Sequence, residues 1–370
     1  MISPLHLRRS WPQGGFSLIE LMIAITLGLL ILAGMLTVFV NTSAARNEIE
    51  RTNRQIENGR YAMELLRDDL QLAGFFGEID LASVPDYTAA LPDMCSTSLL
   101  ERTWPAGGSP GVIRLHVQGA NNFDASASTE LDSCPAIKSA VKTGTDVLLV
   151  RRVKTCYAGA AGCDALTVNK PYLQISFCAS PTVASASTTK THALAIRPTG
   201  GDYTPTPEFV HMNNSALGVA CTVTASLRPY VVYMYFVGTY NGNPNVLMRA
   251  ELKFTGTATD LTDVTPLVDG IENMQLDYGV DGDNDGNADT YAASPAAVAD
   301  WKNVVSVQVN LLARNPEVSA DYKGSAVETA KTYYLGPSAG NVGPFSDGYR
   351  RHVYSARVRI QNISGRREKP

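Results

Sequence analysis

The sequence predicts an α+β protein in which one long N-terminal helix packs on an antiparallel, β-rich globular domain. Two stretches predict the helix: an uncharged apolar run from Leu21 to Val40, and apolar residues at helical spacing beyond it as far as Ala73. From Glu78 onward, short apolar or alternating runs lie between clusters of Gly, Pro, Asn and Ser, which is typical of strands and turns. With 370 residues and 45% apolar content, the chain can bury a sizeable core.

The apolar run predicts a membrane-spanning segment with its N-terminus in the cytoplasm. About 20 uncharged residues suffice to cross ~30 Å of hydrocarbon. Residues 1–15 carry Arg8 and Arg9 and no acid, which orients them to the cytoplasm and the rest of the chain outward. A secretory signal peptide cleaved near Ala44 is the alternative, but the apolar run is longer than such peptides need. Glu20 also opposes it, because a carboxylate at the start of a span needs a partner.

The helix therefore has two halves with different surroundings. Residues 16–40 form the transmembrane or fibre-core half, and residues 41–75 form an amphipathic half whose apolar face packs on the globular domain. Gly74 predicts the end of the helix. The globular domain then occupies residues 76–370.

The residues around the start of the span carry a specific signal. Gly14 to Leu21 reads GGFSLIEL, which resembles the type III signal of type IV pilins and of type II secretion pseudopilins. The resemblance implies that prepilin peptidase removes residues 1–15 by cutting after Gly15, that Phe16 is then N-methylated, and that Glu20 is needed for assembly. A physical reason is that the new amine of Phe16 lies in an apolar bundle, where Glu20 of a neighbouring subunit can neutralise it.

Further stretches extend the resemblance along nearly the whole chain. They look like segments of the PilW minor pilins, a family with the type IV pilin fold: IENGRY at 56–61, RDDLQLAGF at 67–75, LVDGIENMQL at 267–276, YGVD at 278–281 and RRHVYS at 350–355. The region 80–225 is variable and matches little beyond DVLLV at 146–150.

This resemblance implies a non-catalytic subunit of a type IV pilus that primes assembly and is located at the tip, with roles in twitching motility and cell adhesion. The implied partners are other minor pilins, the major pilin, prepilin peptidase, the inner-membrane assembly platform and a PilY-type tip adhesin. The implied location is the inner membrane, with the globular domain in the periplasm, and then the fibre. Two alternatives stay open: a minor pseudopilin of type II secretion, and a membrane-anchored exported binding protein or adhesin.

Alternation of side chains locates the strands of the globular domain. The candidate strands are 111–118, 145–153, 172–178, 230–237, 246–254, 271–280, 303–313 and 352–361. We interpret Tyr230, Tyr233 and Tyr235 as strand packing residues. The polar segments 119–144, 179–190 and 282–299 are predicted to be surface loops.

The even number of cysteines, without a C-x-x-C motif, predicts disulfides in an exported domain. Cys156 and Cys163 enclose a short loop of mostly small residues, so we pair them with each other. Sequential closure costs least entropy and pairs the others as Cys95 with Cys134 and Cys178 with Cys221, although these last two pairs could exchange.

One loop has the pattern of a calcium site. In DGDNDGNAD, the side chains of Asp281, Asp283, Asp285 and Asp289 and the carbonyl of Asn287 would supply oxygen ligands. The twelfth position is Ala292, where the full motif needs a bidentate Glu. A plain Asn/Gly/Asp-rich turn is the alternative.

No residue pattern demands catalysis, and we expect no enzyme. The segment Gly107 to Gly111 matches G-x-S-x-G, but it precedes a strand, whereas a nucleophile elbow follows one. A net charge of -4 from 31 basic and 35 acidic residues gives no basic face for nucleic acid, so no nucleic-acid partner is expected.

Overall fold

The structure is a computed structural model that describes residues 15, 17–79, 91–95, 114–167, 170–175, 192–196, 211–214, 219–224, 226–254, 259–319 and 322–368. The chain divides into two compact units, Met1–Asn53 and Arg54–Pro370.

The first helix, α1 (Leu18–Leu72), is continuous over 55 residues, as the sequence predicts. It is the one helix in the described part of the chain that is long and apolar enough to cross a membrane, and its most apolar window is exposed throughout. From Gln55 onward one face is buried, which includes Ala62, Leu66 and Leu70. The helix ends before Gly74, whose φ of 70° favours glycine and terminates the helical path.

The strands and the short helices follow in chain order. The strands are β1 (Val117–Ala120), β2 (Val147–Val153), β3 (Pro171–Ile175), β4 (His192–Ile196), β5 (His211–Asn214), β6 (Val219–Thr224), β7 (Arg228–Tyr240), β8 (Asn243–Phe254), β9 (Thr259–Asp269), β10 (Ile271–Val280), β11 (Thr290–Ala292), β12 (Val304–Arg314), β13 (Tyr333–Tyr334), β14 (Asn341–Val342) and β15 (Arg351–Arg359). The short helices are α2 (Pro135–Ala140), α3 (Val298–Trp301), α4 (Ala326–Ala330) and α5 (Gln361–Arg367).

Two antiparallel sheets form the body of the globular unit. The larger has seven strands in the order β1-β2-β7-β3-β4, with β8 paired to β7 and β9 paired to β8. A tight turn joins β7 to β8, and its Asn241 and Gly242 both have positive φ, as such hairpins require. The smaller sheet has four strands in the order β11-β10-β12-β15. The pairs β5/β6 and β13/β14 are separate two-stranded sheets.

The main core lies where the buried face of α1 meets one face of each large sheet. Leu66 and Leu70 of the helix belong to the same buried cluster as Tyr235 of β7, Leu276 of β10 and Val309 of β12. The tyrosines 230, 233 and 235 are all buried in cores, which confirms their interpretation as packing residues.

A second core covers the opposite face of the seven-stranded sheet, and it corrects one expectation. Segment 119–144 was expected to be a surface loop, yet its Phe123, Leu131 and Ile137 are buried against Met234 and Phe236 of β7. Only a few large apolar residues anchor the segment in the core, and most of its other residues are polar. Its average composition therefore does not reveal its burial.

The predicted strands agree well with those of the structure. The prediction 303–313 corresponds to β12, and 352–361 corresponds to β15, although the chain turns into α5 after the strand. The first prediction, 111–118, overlaps β1 only at its end, and its residues 111–113 lie outside the described residues. Seven strands were not predicted: β4, β5, β6, β9, β11, β13 and β14. Of these, β11 lies within segment 282–299, which was expected to be a surface loop, and β9 contains a proline and aspartates, which are uncommon in strands.

Candidate assembly site

The N-terminal signal residues lie at the very start of α1. Gly15 is exposed, and Phe16 lies outside the described residues. Glu20 is exposed and accepts a hydrogen bond from the backbone N–H of Ser17 at 3.0 Å. In return, the backbone N–H of Glu20 donates to the Ser17 hydroxyl at 3.3 Å. These two bonds form a capping box, which satisfies donors that a helix start leaves without partners.

The capping box gives Glu20 a local role that our sequence analysis missed. The signal was present, because a serine three residues before a glutamate at the head of an apolar run is the signature of this cap. The carboxylate also lies in the first turn, where the helix dipole favours negative charge. The arrangement holds an exposed carboxylate at the start of an apolar helix.

The PilW-like stretches come together where the second half of α1 meets the two sheets. The Gln55 side-chain amide donates to the carbonyl oxygens of Ala313 and Arg350, at 2.8 and 3.1 Å. The Asn58 amide donates to the carbonyl of Asp269 at 3.0 Å. These bonds connect the stretch 56–61 and its neighbour Gln55 with the stretches 267–276 and 350–355.

Gly59 lies in the middle of this junction and permits a close approach. A Cβ atom built on Gly59 would lie 2.1 Å from a carbon of the Tyr354 ring, so any other residue would force the ring to move. The stretches 56–61 and 350–355 therefore meet through direct contact between helix backbone and an aromatic ring.

At the end of the helix, Asp69 makes a buried ion pair. Its carboxylate accepts from the Arg152 guanidinium at 2.8 Å, and both side chains are mostly buried. The Tyr235 hydroxyl donates to the other carboxylate oxygen. Burial and the Asp69 charge both raise the pKa of Tyr235, so its hydroxyl stays a donor. This cluster fastens α1 to β2 and β7.

A second buried cation fastens β15 to β10. The Arg351 side chain is 1% exposed and pairs with Glu272 of β10 and with Asp347. Its Nη1 donates to Asp347 at 2.8 Å and its Nη2 donates to Glu272 at 3.1 Å. Hydrogen bonding to Arg351 lowers the pKa of the Asp347 carboxyl. All these PilW-like residues build the helix–sheet junction, and in the described part of the chain they enclose no group poised for chemistry.

The acidic loop after β10 brings three of the predicted calcium ligands together. Carboxylate oxygens of Asp281, Asp283 and Asp285 lie within 4.8 Å of one another. Asp289 points elsewhere in the loop and accepts the backbone N–H of Gly282 at 2.7 Å. Asn287 donates its backbone N–H to Asp285 at 2.7 Å.

Protein groups already satisfy the first of these carboxylates. Asp281 is buried, accepts backbone N–H groups of Asn284 and Gly286, and pairs with Arg367 of α5 at 3.1 Å. Burial opposes these donors, yet together with Arg367 they hold the pKa of the Asp281 carboxyl below its usual range. Arg367 therefore already supplies Asp281 with the positive charge that calcium would supply. Calcium binding by this loop stays a prediction.

Two disulfides are present, with the pairings that the sequence analysis preferred. Cys95 joins Cys134, and Cys156 joins Cys163, each with Cα atoms 5.8 Å apart. The proposed partner pair of Cys178 and Cys221 cannot be compared, because Cys178 lies outside the described residues. The same holds for the segment 107–111 and its G-x-S-x-G match.

Comparison with known proteins gives two family matches at separate parts of the chain. The family described as type IV pilus-assembly protein W, PilW, matches residues 234–362. The prokaryotic N-terminal methylation motif matches residues 12–36. No curated protein matches the chain.

Among solved structures, the chain is similar to a type IV-like pilin from Thermus thermophilus. The sequence identity is 16% and the TM-score is 0.22, over 36% of this chain and 68% of that chain.

The two family matches cover the parts of the chain that the geometry singles out. The methylation motif includes the capped start of α1, and the PilW match includes β10, β12 and β15, which receive the second half of the helix. PilW proteins are structural pilins and are not known as enzymes. Together the two matches support a PilW-family type IV minor pilin.

Proposed function

We propose that this chain is a minor pilin that primes assembly of a type IV pilus and is located at the pilus tip. One observation supports this most: a methylation motif continues directly into a helix whose apolar window is wholly exposed. So much apolar surface needs cover, which a bilayer supplies before assembly and neighbouring helices supply within a fibre.

The same proposal covers processing, location and partners. Prepilin peptidase removes residues 1–15 and Phe16 is methylated. The globular unit lies in the periplasm while α1 is in the inner membrane, from which the assembly platform extracts it. Other minor pilins, the major pilin and a PilY-type adhesin are the partners at the tip.

Processing is tested by N-terminal sequencing and mass spectrometry of the chain from sheared fibres. We expect the mature protein to begin at Phe16 and to carry one added methyl group. A start at Met1 or near Ala45 would contradict the pilin assignment.

The role of Glu20 is tested by substitutions that separate its charge from its capping bond. Glu20→Gln keeps an oxygen that can accept the Ser17 N–H but removes the charge, whereas Glu20→Asp keeps the charge. If Glu20 neutralises the Phe16 amine of a neighbour, Glu20→Gln is inserted in the membrane normally and is depleted in fibres. Normal incorporation of Glu20→Gln, measured by immunoblotting of sheared fibres, would reduce Glu20 to a helix cap.

Priming and tip location need separate measurements. Deletion of the gene should lower the number of pili per cell without shortening those that form, and immunogold labelling should mark fibre ends. Loss of protein secretion with normal pili would instead favour the type II secretion alternative. Label spread along the shaft would contradict a tip location.

A further inference from the structure

The strand β15 forms one edge of the four-stranded sheet. It pairs with β12 on one side in an unbroken register from Ser306/Arg359 to Arg314/Arg351. Among the residues that the structure describes, no strand pairs with its other side. The strand is nine residues long, which is enough for a stable further pairing.

The register identifies which backbone groups face the open side. Ile360 donates its N–H to Val305, and Asn315 donates its N–H to Arg350. Because hydrogen-bonding direction alternates along an antiparallel strand, the even-numbered residues of β15 bond to β12. The N–H and C=O groups of Val353, Ser355 and Arg357 therefore point away from the sheet.

The middle of this edge is accessible and carries positive charge at Arg357. Ser355 and Arg357 are exposed, and β15 contains no acidic residue. Arg357 stacks on the Tyr291 ring at 4.5 Å, and it makes no ion pair within the described part of the chain.

An open strand edge is a template for another strand, and proteins normally block or cover such edges. Exposed Arg357 repels a second basic edge but attracts an acidic one. We propose that the free edge of β15 binds an extended acidic segment of a neighbouring pilus subunit by adding it as a fifth strand to the sheet. This inference rests on the proposed function for its partner, but its geometry is a property of the purified chain.

Peptide binding tests the inference directly. The mature full-length chain in detergent is titrated into a labelled ten-residue peptide of alternating glutamate and valine, and anisotropy reports binding. A peptide of alternating lysine and valine is the control for charge. We expect the acidic peptide to bind at least tenfold more tightly than the basic one.

Two matched pairs of variants separate backbone pairing from simple charge attraction. Ser355→Pro removes an outward N–H and should weaken binding at least tenfold, whereas Ser355→Ala removes only the hydroxyl and should change it less than twofold. Arg357→Glu should weaken binding roughly fivefold, as expected for one charge-assisted contact. Lys170→Glu changes the net charge equally at an exposed site just before β3 and should have no effect.

Hydrogen exchange on the unaltered chain keeps the test decisive if Ser355→Pro does not fold. The amides of Val353, Ser355 and Arg357 should exchange rapidly in the free protein and slow at least tenfold with saturating acidic peptide. No binding, no protection of these amides, or equal weakening by Lys170→Glu would overturn the inference. If the unaltered chain binds the acidic peptide but is absent from sheared pili, the proposed function is contradicted and the inference about β15 is not.

Discussion

Two neighbouring aspartates near the end of α1 have opposite surroundings. Asp68 is exposed, whereas Asp69 is buried against Arg152 and Tyr235. Removal of one partner from a buried ion pair leaves the other charge without compensation, which is far more costly than loss of a surface charge.

We therefore predict that Asp69→Ala lowers the free energy of unfolding by about 3 kcal/mol. The matched variant Asp68→Ala should change it by less than about 0.5 kcal/mol. Urea unfolding of the detergent-solubilised mature chain measures both. Similar losses for the two variants would show that the ion pair of Asp69 does not fasten the helix.

The pKa values of two buried titratable groups, Asp146 and His116, shift in opposite directions. Burial raises the pKa of Asp146 from 3.8 to about 7, although backbone N–H groups of Asn122 and Leu276 donate to it. Burial lowers the pKa of His116 from 6.5 to about 4, while its Nε2 lies 2.7 Å from the carbonyl oxygen of Val304.

These shifts predict opposite effects of pH on stability. Folded Asp146 keeps a proton that the unfolded chain loses, so its stabilising effect is lost as pH rises from about 4 to 7. Folded His116 loses a proton that the unfolded chain keeps, so its contribution is lost as pH falls from 6.5 to about 4. In the intact chain, the two groups change the free energy of unfolding with pH in opposite directions between about pH 4 and 6.5.

Single substitutions of these two residues should therefore change the pH dependence of the free energy of unfolding with opposite signs. Relative to the unaltered chain, the free energy of unfolding of Asp146→Asn should rise between pH 4.5 and 6.5, by about 1 kcal/mol per pH unit. That of His116→Gln should fall by a similar amount. Urea unfolding at three pH values gives the slopes, and parallel profiles for the two variants would refute the assignment.

At the scale of elements, α1 was the most predictable part of the fold. Its length follows from the apolar run and from helical spacing, and Gly74 marks its end. Strands with alternating side chains, such as β12, were also predictable. By contrast, β9 contains Pro266 and three aspartates, and pairing with β8 overrides these unfavourable local preferences.

The candidate site was predictable only in part, because tertiary contacts decide the rest. Gly15, Phe16 and Glu20 follow from a local motif, and the capping box could have been found in the same residues. The pairing of Arg367 with Asp281 joins residues far apart in the chain, so no local pattern indicates it. The burial of segment 119–144 likewise depends on which sheet face it covers.

Gly59 gives a prediction at this same scale. Alanine normally favours a helix over glycine by about 1 kcal/mol. At Gly59 the added Cβ would collide with the Tyr354 ring, so Gly59→Ala should instead lower the free energy of unfolding by about 1–3 kcal/mol. Thermal melts measure the change.

A double substitution supplies the control for Gly59. If the ring causes the loss, Tyr354→Ala should remove most of the additional cost of Gly59→Ala, because the two residues are in contact. Additive losses in the double variant would show that the cost arises elsewhere. At Gly34 an added Cβ would meet no atom within 4 Å, so Gly34→Ala should not lower the free energy of unfolding.

At the scale of the whole molecule, the boundary between the two compact units falls within α1, not at its end. Residues up to Asn53 belong to one unit, and the rest of the helix belongs to the globular unit. The globular unit therefore includes about five turns of helix, with Leu66 and Leu70 fully buried in its main core. A pilin of this kind needs those turns as part of its fold, whatever the remainder of the helix contacts.

Two truncations test this division. A fragment of residues 54–370 keeps Gln55, Gly59, Leu66, Asp69 and Leu70, so we expect it to be soluble and to unfold cooperatively. A fragment of residues 74–370 loses two leucines worth about 2–3 kcal/mol each and the buried Asp69 pair, which together approach the whole stability of a typical domain. It should bind a hydrophobic dye and show no cooperative transition by circular dichroism.

Addition of a synthetic peptide of residues 54–73 should restore the transition, whereas the same peptide with Asp69→Ala should do so only at higher concentration. Cooperative unfolding of the shorter fragment alone would show that the sheets form a stable core without the helix.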